Sequence, residues 1–159
     1  MASEPAWLTA DELRAWRNLI ELAEELRAEL EPPLQRGHGL ANGDYQVLVL
    51  LSEAPEHELR MCDLAARLRL SPSGLTRRLD GLVRADLVER RPATSDRRMV
   101  MAALTPAGDA RLRAAAPDHV EAVRAAFVDH LRDGEAAELG ELLGRIRERR
   151  AAAGTTSPS

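Results

Sequence analysis

Two short stretches carry side chains whose types and spacing suit contact with a polyanion. In "SPSGLTRR", residues 71–78, Ser73, Gly74, Thr76, Arg77 and Arg78 follow a serine and a proline. Arginine pairs with guanine edges and phosphates through two parallel hydrogen bonds, serine and threonine reach phosphate oxygens, and glycine permits close approach. In "PATSDRR", residues 92–98, Asp96 precedes the adjacent Arg97 and Arg98 between two apolar runs. Turn closure calls for Gly, Asn or Asp, and paired guanidiniums add nothing to it. Their chemistry is therefore directed outward, with Asp96 able to hold one guanidinium by a charge-assisted hydrogen bond.

The formal net charge of −4 argues against such a partner until it is divided along the chain. Residues 60–100 hold ten arginines and five acids, whereas the remainder is strongly acidic. Binding to nucleic acid depends on local counterion release, so a basic block in an acidic protein suffices. A solvated charged face is the bland alternative.

Other chemistry finds little support. The chain shows no nucleophile elbow, Gly-rich phosphate loop or paired-acid signature, so no enzyme and no cofactor are expected. His38, His57, His119 and His130 lack metal-ligand spacing and a cysteine partner, which predicts no metal site. The lone Cys62 excludes an internal disulfide, and no apolar run approaches the length of a membrane span. The expected location is the cytoplasm. All 22 basic residues are arginine, which reads as compositional bias.

The elements that must position these residues follow from local signals. "LTADELRAW" opens a helix with a capping box, Thr9 with Glu12, and a staple of Leu8 on Leu13. Its apolar residues Leu13, Trp16, Ile20, Ala23, Leu26 and Leu30 repeat at three and four, and Pro32 and Pro33 are expected to end it. The run "NGDYQVLVLLSEAP" suits a buried strand as well as a buried helix, and Asp44 as a cap with the length to Ala54 favours a helix closed by Pro55. A brief extended piece at Leu59 to Met61 precedes a helix over about Cys62 to Leu68. Ser71 as N-cap and Pro72 as first helical residue start the next, with Leu75, Leu79, Leu82 and Val83 inward. On its opposite side stand Ser73, Gly74, Arg77, Asp80, Gly81 and Arg84. A helix, a tight turn and a second helix with that face constitute helix-turn-helix spacing. Two strands with the arginine-bearing tip between them make a wing suited to an adjacent minor groove. A long helix follows from Thr105 and Pro106, with a kink at Pro117, and a last helix has Leu139, Leu142, Leu143 and Ile146 inward.

This order, and above all the spacing of "LVERR", "DRR" and "LTPAG", resembles the MarR family of winged-helix transcription regulators over residues 9–149. The resemblance implies a mostly α (α+β) fold: a winged helix-turn-helix at about 44–104, with helices at about 9–31 and 105–149 forming a dimerisation stem. An arm at 1–8 and a disordered tail at 150–159 flank this single domain. It further implies a homodimer on a palindromic operator in double-stranded DNA. Position by position it carries DNA contact onto Ser71 as cap, Ser73, Gly74, Thr76, Arg77 and Arg78, and onto Asp96, Arg97 and Arg98 in the wing. Two residues depart from that pattern: Gly74 offers few atoms for base reading, and Asp80 sets a negative charge near phosphates.

The resemblance also implies an effector, a small aromatic compound entering a crevice between stem and lobe, where Trp16 and Tyr45, with Trp7, are the candidate lining residues. Trp16 falls on the apolar stripe of its helix, which favours core or interface packing over effector contact. The resulting function is a homodimeric, sequence-specific repressor tuned by a small molecule. Two alternatives stay open: a winged-helix protein-interaction module, and a redox-sensing regulator using Cys62.

Overall fold

The computed structural model describes residues 6–93 and 98–154. Two compact units divide the chain between Ala122 and Val123.

The first unit begins with α1 (Ala10–His38), whose Thr9 hydroxyl accepts from the Glu12 N–H at 3.3 Å while the Glu12 carboxylate accepts from the Thr9 N–H at 2.8 Å. Those two bonds satisfy donors that a helix start leaves open, and the one from the Thr9 N–H holds the Glu12 carboxyl below its ordinary range. Contrary to the sequence expectation, Pro32 and Pro33 lie inside α1, which continues to His38 and ends at Gly39 in the left-handed region, φ 65°. Each proline removes an intrahelical bond, yet the next residue, Leu34, is completely buried and anchors the continuing turns in the core. The His38 imidazole then meets the Asp118 carboxylate at 2.8 Å, and the Arg111 guanidinium donates to the His38 carbonyl at 2.8 Å.

The second helix, α2 (Asn42–Ser52), has Ala41 at its N-cap with no side-chain cap bond, so Asp44 is not the cap that its type suggested. Buried Val47, Leu48 and Leu51 explain why the helix forms from a run that also suits a strand. Strand β1 (Glu58–Arg60) leads into α3 (Met61–Leu68), capped at Arg60, which places Cys62 inside the first turn and exposed. Helix α4 (Pro72–Arg84) starts as read from the sequence, and β2 (Val88–Pro92) and β3 (Val100–Leu104) follow. The sheet is antiparallel in the order β1-β3-β2, with Leu59 and Arg90 both opposite Ala102.

Helix α5 (Pro106–Ala126) carries Pro117 within it. Its start is tied to the sheet: the Thr105 hydroxyl donates to the Asp86 carbonyl at 2.6 Å and accepts from the Gly108 N–H at 2.9 Å. A side chain at 108 would run into the Leu87 carbonyl, which is why glycine stands there. Together Leu40, Val47, Leu48, Leu51, Leu64, Leu75, Leu79, Val88, Ala102 and Ala115 build one core beneath α4 and the sheet.

The second unit contains the end of α5, a short 3₁₀ turn (Val128–His130) and α6 (Glu135–Gly154). Helix α5 thus ends at Ala126, before the 3₁₀ turn. The expected tail from 150 is helical through Gly154, and residues 155–159 lie outside the described ones. No helix among the described residues is long and apolar enough to cross a membrane.

Candidate nucleic-acid interface

The amphipathic division of α4 sets up the site. Leu75, Leu79 and Leu82 are buried, each contributing about 1.5–3 kcal/mol by leaving water. Val83, read as inward, is instead 37% exposed at the margin. With that side pinned, Ser73, Thr76, Arg77, Asp80, Gly81 and Arg84 are exposed on the other. Ser71 caps the helix, its hydroxyl accepting from the Gly74 N–H at 3.1 Å and lying 3.2 Å from the Ser73 hydroxyl. Gly74 is half-buried, and a Cβ there would press on that cap oxygen, so its glycine serves the helix start. The Thr76 hydroxyl donates to the Pro72 carbonyl at 2.9 Å, and the residue is exposed.

The arginines separate into two sets. Arg77 is exposed and makes no ion pair or side-chain hydrogen bond among the described residues. Arg78 turns the other way, to the Asp44 carboxylate on α2 at 3.2 Å. The pair in "VERR" is divided by strand alternation. Arg90 follows Val88 on the core-facing side and pairs with Asp80 at 2.8 Å, while Arg91 on the outer side pairs with Glu58 at 2.6 Å and Glu89 at 3.6 Å. The hydrogen bond to Glu58, with its negative charge, holds the Arg91 guanidinium above its ordinary pKa. Arg98 is exposed in the turn leading to β3. Asp96 and Arg97 lie outside the described residues. Among the described residues Arg78, Arg90 and Arg91 are thus drawn to the protein's own carboxylates, and the outward charge of α4 rests on Arg77 and Arg84.

A cavity of about 740 Å³ opens beside α4 in the first unit, lined by Leu26, Arg27, Asn42, Tyr45, Arg78 and His119 among others. Tyr45 and His119 face each other with ring centroids 4.4 Å apart, tilted by 46°. Burial raises the Tyr45 phenol pKa and lowers that of the His119 imidazole, whose Nδ1 is buried without a hydrogen-bond partner among the described residues. Of the sequence-predicted lining residues Tyr45 is present, whereas Trp16 lies on α1 at 56% exposure and does not line the cavity. Sequence reasoning missed His119 and Arg27. Nothing local signals them, and the ring that faces His119, that of Tyr45, stands far away in the chain.

A three-helix core, a recognition-type helix after a tight turn, and a three-stranded sheet ending in a wing define a winged helix-turn-helix protein. The family model described as "MarR family" matches residues 40–100. The HTH-type transcriptional repressor YetL of Bacillus subtilis is 32% identical over 142 residues, covering 87% of this chain and 84% of that protein. Among solved structures, the MarR-family regulator AbsC of Streptomyces coelicolor superposes with a TM-score of 0.85 at 38% identity, covering 93% of this chain and 99% of that one. Sco3205, a MarR-family regulator of the same organism solved in complex with DNA, gives 0.82 at 38% identity, covering 99% and 95%. This chain belongs to the MarR family and is a transcriptional regulator, not an enzyme.

Proposed function

We propose that the protein is a homodimeric repressor that binds a palindromic operator in double-stranded DNA through α4 and the wing, released by a small aromatic effector. One observation carries the DNA reading: burial of Leu75, Leu79 and Leu82 leaves Ser73, Thr76 and Arg77 exposed on the opposite side of the same helix. Ser71 supports that face as its cap, Gly74 by accommodating the cap, and Arg98 extends the surface at the wing, where Asp96 and Arg97 belong to the same proposal. Repression follows the relative named a repressor, and DNA as ligand follows the structure solved with DNA.

The homodimer is supported by apolar side chains that water would not otherwise face: Leu13, Trp16, Leu19 and Ile20 on α1, and Leu142, Leu143 and Ile146 on α6. Two lobes joined by such a stem meet half-sites about one helical turn apart, and an effector favouring another spacing weakens binding. The cavity beside Tyr45 has the size of a small-molecule site. Hydroxyl-radical footprinting on a duplex selected from a random library tests the whole reading. Two protected half-sites related by a dyad, about 10 base pairs apart, are expected. A single protected patch, or protection independent of sequence, contradicts it.

A further inference from the structure

Asp80 places a carboxylate on the very face of α4 that is proposed to meet DNA, and the structure shows how its charge is handled. Arg90 stands opposite the fully buried Ala102 and shares the core-facing side of β2 with Val88. From there one terminal nitrogen of its guanidinium donates to the Asp80 carboxylate at 2.8 Å and to the Thr76 carbonyl at 2.9 Å. The Arg84 Nε donates to the Asp80 carbonyl at 3.1 Å, so the third turn of α4 is held from two sides.

We infer that Arg90 is a positioning residue: bridging Thr76 and Asp80 from β2, it joins the recognition helix to the wing strand as one rigid unit and does not bind phosphate itself. Thr76 and Asp80 flank Arg77, so the clamp sets the angle at which Arg77 leaves the helix. Asp80 is the anchor of this clamp and its negative charge is spent inside the protein. The inference rests on the proposed DNA reading for its consequence, but the clamp is a property of the free protein.

The test has two arms. Amide hydrogen exchange without DNA compares the wild type with Arg90→Ala and Asp80→Ala. Exchange across residues 77–84 should quicken at least severalfold in both variants, with α2 unchanged, and unaltered exchange overturns the clamp. In the second arm, each protein is titrated with a duplex that the wild type selects from a random library and with a shuffled duplex, at several salt concentrations. Discrimination between the two should fall about tenfold in either variant, and the double variant should lose no more than either single one. The slope of log affinity against log salt should stay as in the wild type. A slope reduced by about 1 in Arg90→Ala identifies Arg90 as a phosphate ligand, and tighter binding in Asp80→Ala identifies Asp80 as a mere repellent; either overturns the inference. A wild-type slope near zero instead contradicts the DNA reading, and the exchange arm then decides the clamp alone.

Discussion

Arg78 on α4 and Asp44 on α2 are joined at 3.2 Å, although both carry types that suit other tasks: a DNA-facing arginine and a helix cap. Their side chains are about one third exposed, and the Arg78 guanidinium lies directly over Gly43. The pair therefore ties α4 to α2, while the neighbouring Arg77 is exposed.

Arg77→Ala is expected to cost operator binding about 1–3 kcal/mol as a base-reading contact. Arg78→Ala should cost less than Arg77→Ala in a fluorescence-anisotropy titration. Its effect should appear instead as a stability loss of up to about 1 kcal/mol, the range of partly exposed ion pairs. Equal losses of affinity in the two variants would show that Arg78 leaves Asp44 to contact DNA.

Two glycine substitutions should differ sharply. At Gly108 an added methyl meets the Leu87 main-chain oxygen, which cannot retreat without moving β2, so Gly108→Ala should lose about 1–3 kcal/mol or more. At Gly43 the added methyl meets only the tip of the Arg78 side chain, which can swing aside. Thermal unfolding should therefore show a large fall in Tm for the first and a small one for the second.

His119 makes stability depend on pH. Burial lowers its folded pKa below the ordinary 6.5, so the unfolded chain binds more protons just below that pH. Its contribution is fully present above pH 6.5 and is lost as the pH falls through the lower folded value. Tm of the wild type should drop over this interval more than that of His119→Gln, and parallel curves would remove His119 from the account.

The apolar residues exposed on α1 make a further prediction. Replacing Trp16 and Ile20 together by glutamate should convert a dimer, about twice the 17.4 kDa chain mass, into a monomer by light scattering. A wild type that already runs at the single-chain mass contradicts the proposed stem.

How much of this was legible depended on how local each signal is. Ser71, Pro72 and the capping box of Thr9 with Glu12 act within one turn, and both helix starts stand where the sequence places them. The end of α1 was misread because the local penalty of Pro32 and Pro33 is outweighed by Leu34 and Leu40, whose burial is a tertiary event. Helical geometry could set Arg78 beside the outward face, but not decide between solvent and Asp44, 34 residues away in the chain. The pairing of Tyr45 with His119, and of Arg90 with Asp80, was likewise invisible before the fold brought the elements together.

The central claim is that the outward face of α4, with the wing, grips duplex DNA through charge. Its most direct test is the affinity of the wild-type protein for a random duplex as salt rises from about 50 to 200 mM. A straight log–log line of slope steeper than about −3 is predicted. An affinity that does not change with salt would contradict it.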